Sequence, residues 1–142
     1  MFKPIQTDKA PKAVGPYSQA IVIGDFVYCS GQIGLSPKTG ELAKGIKKQT
    51  QQAIENLKAV LEAAGGDVKT VMKATIFLTD MKDYETVNEI YGAVFKDHKP
   101  ARSTVAVAAL PKGALVEIEA FAIRAFDEAD ESCACGGECG CN

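Results

Sequence analysis

The sequence predicts an α+β domain in which two helices pack on one face of a mixed β-sheet. Apolar residues recur at three- and four-residue spacing over residues 46–64 and again over residues 84–95, which is the pattern of two amphipathic helices. Five other segments are rich in β-branched and aromatic residues or alternate between polar and apolar residues, which is typical of strands. Two helices cover only one face of a five-stranded sheet.

The predicted strands are, in chain order, Ala20–Ile23, Phe26–Ser30, Val71–Thr79, Ser103–Val107 and Val116–Arg124. The first two form a hairpin, because Gly24 and Asp25 between them suit a tight two-residue turn. Turn-forming residues over 35–45 predict an exposed loop before the first helix. Gly65 and Gly66 end that helix, and the strand after it is expected to run parallel to the hairpin's neighbour.

The last strand indicates that the second face of the sheet is also covered. Its alternation places four apolar residues on one face, Val116, Ile118, Ala120 and Ala122, and a mixed set on the other, Glu117, Glu119, Phe121 and Ile123. A sheet that is apolar on both faces, with helices for only one, favours oligomerisation through the open face.

Length and charge restrict the class of protein. The 142 residues suffice for one domain, which we expect over residues 1–126, followed by an acidic, flexible tail over residues 127–142. Residues 1–126 contain all 16 basic residues and 13 of the 18 acids, so they carry +3 in total. This weak and scattered charge argues against a nucleic-acid partner.

Membrane insertion and secretion are not expected. The longest apolar run, Val105–Leu110, is six residues long, whereas a membrane-spanning helix needs about 20. The N-terminal residues 1–11 contain charged side chains without an apolar stretch behind them, unlike a secretory signal. The sequence therefore predicts a cytoplasmic protein.

Three polar positions have alternative interpretations on spacing alone. Arg102 opens a predicted strand and is either a surface charge or a planar donor for a carboxylate. Glu117 and Glu119 share a strand face with Phe121, and are either solvated acids or acids in a partly apolar pocket that can handle protons. His98 lies in a polar stretch and is interpreted as a solvated surface histidine.

Five segments resemble the RidA (YjgF) family of reactive intermediate deaminases. They are Gly15-Pro16-Tyr17-Ser18-Gln19-Ala20, Tyr28-Cys29-Ser30-Gly31-Gln32-Ile33, Tyr84-Glu85-Thr86-Val87-Asn88-Glu89-Ile90-Tyr91, Pro100-Ala101-Arg102-Ser103-Thr104-Val105 and Glu117-Ile118-Glu119-Ala120. The resemblance runs from about Lys3 to Phe126 in order and with family-like spacing. It implies a chorismate-mutase-like fold and a homotrimer around a central barrel, with sites in the clefts between subunits.

The resemblance also implies an activity. Family members of this type hydrolyse enamines and imines such as 2-aminoacrylate and 2-aminocrotonate to 2-oxo acids and ammonia. These substrates are released by pyridoxal-phosphate-dependent dehydratases, and the hydrolysis itself needs no cofactor, because an imine is already electrophilic.

Site residues follow from the same resemblance. Arg102 would hold the substrate carboxylate, and Glu117, supported by Glu119, would activate water and relay protons. The other residues implied to line the cleft are Tyr17, Ser30, Gly31, Asn88 and Thr104. Thr104 is a departure, because close relatives often have a cysteine there, and a nucleophilic thiol is excluded. Cys29, alone in an apolar strand, is interpreted as a small core residue rather than a substitute nucleophile.

Two other functions stay open at this point. A non-catalytic trimer could recognise small carboxylates through Arg102, although retention of Glu117 argues against it. Some relatives are described as endoribonucleases or translation inhibitors, an activity that the weak charge and the lone histidine disfavour.

The tail contains four cysteines in a C-x-C-x₃-C-x-C arrangement, Cys133, Cys135, Cys139 and Cys141. Four thiolates could hold one soft or borderline metal ion such as Zn²⁺ or Cu(I). The spacing differs from the usual C-x₂-C pairs, so free thiols on an appendage are an equal alternative. The tail lies outside the family resemblance.

Overall fold

The computed structural model describes residues 1–125. Its strands, in chain order, are β1 (Lys3–Ile5), β2 (Ala20–Ile23), β3 (Phe26–Ile33), β4 (Val71–Leu78), β5 (Ala101–Ala106) and β6 (Val116–Ile123). Its two α-helices are α1 (Gly45–Ala63) and α2 (Tyr84–Val94). Short 3₁₀ turns precede β4, α2 and β6. The two predicted helices, the hairpin and the three later strands are confirmed within a few residues at each end.

The strands form one mixed sheet in the order β1-β2-β3-β6-β4-β5. β4 and β5 are parallel, as expected of two strands joined through a helix, and the other neighbours are antiparallel. The expectation that β4 runs parallel to the hairpin's neighbour is wrong. That neighbour is β6, which inserts from the C-terminal side between β3 and β4 and is antiparallel to both.

The core lies between the sheet and the two helices. The inward side chains of β6, those of Val116, Ile118, Ala120 and Ala122, are buried, whereas the alternate side chains are partly exposed. From α1, Ile54, Leu57, Val60 and Leu61 join the same core cluster. The predicted alternation of the last strand is therefore confirmed.

The other face of the sheet carries an aromatic cluster. The ring of Phe121 lies 5.7 Å from that of Phe26 and 4.5 Å from that of Tyr28, between ring centroids. Phe26 and Tyr28 are 47% and 51% exposed. An aromatic cluster of this kind on an open sheet face is typical of a protein-protein contact surface.

Buried amides hold the long loop in place. In the loop between β3 and α1, Leu35 bridges to Leu42, and the buried side chain of Asn56 donates to the carbonyls of Ile33 and Leu35 at 3.1 and 2.8 Å.

Within residues 1–125, no helix is long and apolar enough to cross a membrane.

Candidate functional site

A β-bulge lies at the centre of the candidate site. Cys29 of β3 pairs with Ala120 of β6, but the next pairing is between Gln32 and Ile118. Two residues of β3, at positions 30 and 31, therefore stand opposite the single residue 119 of β6. A bulge bends its strand and changes the direction of the side chains beside it.

The bulge brings the backbone of Gly31 against the carboxyl group of Glu117. A Cβ at position 31 would lie 2.1 Å from Glu117 Oε1 and 2.7 Å from its Cδ. A side chain at position 31 would displace the carboxyl group, so only glycine allows the carboxyl group to lie there. Burial raises the pKa of Glu117, and the nearby charge of Glu119 raises it further.

A cavity of about 660 Å³ opens beside these carboxyl groups. It is lined by residues of the N-terminal segment, the bulge, the turn before β6 and β6 itself, among them Tyr17, Ser30, Gly31, Lys112, Glu117 and Glu119. Ser30 is fixed there, since its hydroxyl donates to the carbonyl of Ser18 at 2.6 Å. The structure thus brings five of the predicted residues together in one cavity: Tyr17, Ser30, Gly31, Glu117 and the supporting Glu119.

Gln19 holds the N-terminal wall of this cavity. Its side chain is 2% exposed, and its Nε2 donates to the carbonyls of Thr7 and Pro11 at 3.1 and 2.8 Å. Its Oε1 accepts from the amide of Thr7 at 2.7 Å. A buried side-chain amide with its groups satisfied fixes the chain around it, so the segment that carries Tyr17 is anchored to the sheet.

Arg102 lies in a second cluster, at the start of β5 beneath α2. Its Nη1 donates to Asn88 Oδ1 at 2.8 Å and its Nη2 donates to the hydroxyl of Tyr84 at 3.1 Å. The guanidinium carbon also lies 4.9 Å from the ring centroid of Tyr91. A separate cavity of about 300 Å³ is lined in part by Arg102, Asn88 and Tyr91.

No carboxylate of residues 1–125 forms an ion pair with Arg102. The ion pairs in this part of the chain join Lys58 to Glu55 and Lys82 to Asp80. The positive charge of Arg102 is held by neutral groups, and this arrangement leaves it available to an anionic ligand.

Arg102 and Glu117 project from opposite faces of the sheet. Arg102 pairs in register with Ala74 of β4, and Ala74 pairs with Ala120 of β6. Both alanines are buried on the helix face, so Arg102 also projects toward the helices. Glu117 is three residues from Ala120 on the same strand and therefore projects from the open face. One chain does not bring the two groups into one cavity.

Thr104 and Cys29 both place their side-chain oxygen or sulfur atom largely out of contact with solvent. The Oγ1 atom of Thr104 is buried without a hydrogen-bond partner among the described residues. Burial raises the pKa of the Cys29 thiol to about 12, so this thiol is protonated at neutral pH and is a poor nucleophile. The interpretation of Cys29 as a core residue agrees with its 7% exposure.

His98 is not simply a solvated surface residue. Its side chain is partly buried, and Nε2 donates to the carbonyl of Val71 at the start of β4. The histidine thus connects the loop before β5 to β4, a structural role that its polar neighbours in the sequence did not indicate.

Sequence reasoning missed three residues at the site, Gln19, Tyr84 and Lys112. Tyr84 could have been found, because it precedes Asn88 by four residues on one predicted helix and so shares its face. Lys112 has a backbone φ of 58°, in the left-handed region that residues other than glycine rarely adopt. No sequence pattern indicates that conformation, although Gly113 follows it.

The four tail cysteines, Cys133, Cys135, Cys139 and Cys141, lie outside the described residues. Within residues 1–125, no group of three or more His, Cys, Asp or Glu side chains is placed to hold a metal ion.

Comparison with known proteins covers nearly all of the described chain. Residues 7–124 match the family model described as endoribonuclease L-PSP. The human protein named 2-iminobutanoate/2-iminopropanoate deaminase is 50% identical over 121 residues, which cover 84% of this chain and 88% of that protein.

Solved structures show the same fold. RidA from the Antarctic bacterium Psychrobacter has a TM-score of 0.83 and 51% identity, covering 85% of this chain and 98% of that one. Escherichia coli TdcF, solved with bound serine, has a TM-score of 0.83 and 44% identity, covering 87% of this chain and 99% of that one.

Proposed function

The chain belongs to the endoribonuclease L-PSP family, which includes RidA, and on that premise we propose that it hydrolyses 2-imino acids and their enamine tautomers to 2-oxo acids and ammonia. Its 50% identity to a protein named 2-iminobutanoate/2-iminopropanoate deaminase supports this activity. The observation that carries the proposal is the pair of complementary groups: Arg102, a cation without a carboxylate partner among residues 1–125, and Glu117, a carboxyl group with a raised pKa.

Arg102 binds the substrate carboxylate. Its planar fork matches the two oxygens of a carboxylate, and a charge-assisted hydrogen bond of this kind contributes roughly 1.5–3 kcal/mol. Tyr17, Ser30, Gly31, Asn88 and Thr104 surround the substrate or the groups that hold it, as the family resemblance implies.

Glu117 moves the protons. As a carboxylate it takes a proton from water, whose oxygen forms a bond to the carbon of the protonated imine. The resulting carbinolamine receives that proton on nitrogen. The C–N bond then breaks as the carbinolamine hydroxyl gives its proton to Glu117, which leaves the 2-oxo acid, and the released ammonia takes that proton and departs as ammonium. A positioned base contributes about 10²–10⁴ in rate, and a raised pKa brings Glu117 closer to the operating pH. The negative charge of Glu119 helps to keep the pKa of Glu117 raised.

Two chains complete one site in this proposal. Since Arg102 and Glu117 project from opposite faces of one sheet, an intact site takes Arg102 from one subunit and Glu117 from its neighbour. A homotrimer whose open sheet faces pack around a central barrel would meet this requirement and cover the aromatic cluster of Phe26, Tyr28 and Phe121. Pyridoxal-phosphate-dependent dehydratases in the cytoplasm would supply the substrates.

The test is 2-oxo acid release from 2-aminocrotonate and 2-aminoacrylate, generated in situ by a dehydratase, with semicarbazide trapping of surviving imine. The intact chain is compared with Arg102→Ala and Glu117→Gln. We expect acceleration by the intact chain and a loss in both variants, largely in KM for Arg102→Ala and in kcat for Glu117→Gln.

A well-folded oligomer without acceleration contradicts the deaminase proposal. Binding of 2-oxobutanoate without turnover would then favour a non-catalytic carboxylate-binding protein. The name of the family model makes RNA cleavage the second candidate, and a salt-dependent RNA-binding and cleavage assay on the same preparation tests it directly.

A further inference from the structure

Helix α2 presents three side chains to Arg102 from a single stripe. Tyr84, Asn88 and Tyr91 are spaced by four and three residues, so they lie on one face of the helix. Each contacts a different part of the guanidinium: Asn88 the Nη1 atom, Tyr84 the Nη2 atom and Tyr91 the flat face. These contacts fix the position, the plane and one face of the group.

The hydrogen bonds use two of the five N–H groups of Arg102. Nε–H and the second N–H of each Nη have no partner within residues 1–125, and a bidentate bond to a carboxylate needs two donors. Holding the fork in this way therefore leaves enough donors for a ligand.

Both acceptors are neutral. The amide oxygen of Asn88 and the phenol oxygen of Tyr84 accept hydrogen bonds without cancelling the positive charge. An aspartate at position 88 has nearly the shape of asparagine and would reach the same nitrogen, but its charge would compete with any ligand carboxylate.

We infer that Tyr84 and Asn88 are positioning residues, which set the plane of the Arg102 guanidinium in advance and leave its charge and three N–H donors for the substrate carboxylate. This role rests on the proposed function, since it takes the substrate carboxylate as the ligand. Presetting the group lowers the entropy lost on binding, so the effect falls on affinity rather than on the water step at Glu117.

Tyr84→Phe removes one hydroxyl and keeps the ring. Tyr84 is 37% exposed, so the fold should tolerate the change. We expect the dissociation constant of 2-oxobutanoate, measured by calorimetry with the full chain, to rise roughly 2- to 10-fold, the range of one net hydrogen bond. For the imine substrate, KM should rise and kcat should stay near the wild-type value.

Asn88→Ala and Asn88→Asp separate shape from charge. We expect Asn88→Asp to weaken 2-oxobutanoate binding more than Asn88→Ala, by at least about tenfold relative to wild type, because its carboxylate pairs with Arg102. Thr86→Asp is the matched control, since it adds the same charge to α2 on another face and should leave binding unchanged. If Asn88 were only a structural anchor, Asn88→Asp would bind as wild type does, and the inference would be wrong.

A double-mutant cycle tests whether Tyr84 acts through Arg102. Lysine has no planar fork to orient, so in an Arg102→Lys background the further change Tyr84→Phe should have no effect on binding. An equal loss in both backgrounds overturns the inference, as does a wild-type chain that does not bind 2-oxobutanoate. Binding that follows the expected pattern without any imine hydrolysis leaves the positioning role intact and removes the proposed function alone.

Discussion

The carboxyl group of Glu117 lies against the backbone of Gly31, where a Cβ would be only 2.1 Å from Oε1. The family resemblance implies that this glycine lines the cleft, and the structure shows that the carboxyl group of the neighbouring acid occupies the space beside it. The bulge at residues 30 and 31 and the absence of a side chain on Gly31 together make room for the carboxyl group.

Gly31→Ala should therefore displace Glu117 and lower kcat. A methyl group cannot share the space with the carboxyl group, so we expect a loss of up to about 10²-fold, within the usual contribution of a positioned base. Gly24→Ala, which meets nothing within 4 Å but has a positive φ of 56°, is the control for a general glycine effect on stability. A Gly31→Ala chain with wild-type kcat would show that the position of Glu117 is not critical.

Glu117→Gln should stabilise the protein at neutral pH while it lowers activity. The raised pKa of Glu117 means that the folded state binds its proton more tightly than the unfolded state does, so the stability of the wild type falls as pH rises through that pKa. Glu117→Gln does not lose stability in this way, because a glutamine side chain does not ionise. We expect its advantage in Tm to be present at pH 7 and to shrink below the usual carboxyl pKa, as scanning calorimetry at several pH values can measure.

The same substitution should change the pH profile of the reaction. In the wild type, kcat/KM should fall on the acid side at a pH above the ordinary glutamate pKa, because Glu117 must be ionised to accept a proton. That acid limb should be absent from the residual activity of Glu117→Gln. An identical limb in both proteins would assign it to another group.

A charge on the open sheet face should prevent assembly. Tyr28 is 51% exposed in the single chain and contacts Phe121, and burying an unpaired carboxylate at such a contact surface is costly. We expect Tyr28→Asp to sediment as a smaller species and to lose most of its deaminase activity, with a folded circular dichroism spectrum. Gln51→Asp, on the exposed face of α1, is the matched control and should keep both mass and activity.

Removal of the tail should not affect the deaminase. The family match ends at residue 124, so a chain ending at Phe126 should keep the kcat and KM of the full chain. Zinc retention after gel filtration, compared between the two chains, then decides whether Cys133, Cys135, Cys139 and Cys141 hold a metal or are free thiols. A loss of activity on truncation would give the tail a role in the site.

Local patterns predicted most elements of the fold, but not their order in space. The helical periodicity, the Gly24-Asp25 turn and the alternation of β6 are properties of short segments, and all three are confirmed. The strand β1 was missed, since it has three residues and contains Pro4, which leaves no alternation to detect. The insertion of β6 between β3 and β4 depends on pairing between distant segments, which no local window contains.

The site was predictable by residue type but not by arrangement. On spacing alone, Arg102 and Glu117 can each be interpreted as a surface charge. Their projection from opposite faces could not be predicted, because it depends on the registers of three strands. The anchoring roles of Gln19 and His98 depend on backbone carbonyls of other segments, at Thr7, Pro11 and Val71. Backbone partners leave no signature in side-chain patterns.

The placement of Arg102 and Glu117 on opposite faces also affects how activity depends on concentration. In the proposed assembly, a folded single chain contains both groups but no complete site, so specific activity should fall when the protein is diluted below the concentration at which subunits dissociate. Mixed oligomers follow a different rule: a trimer that contains both Arg102→Ala and Glu117→Gln subunits would have one site with both defects, one with a single defect and one with neither. Two inactive proteins should therefore recover activity when their subunits are exchanged.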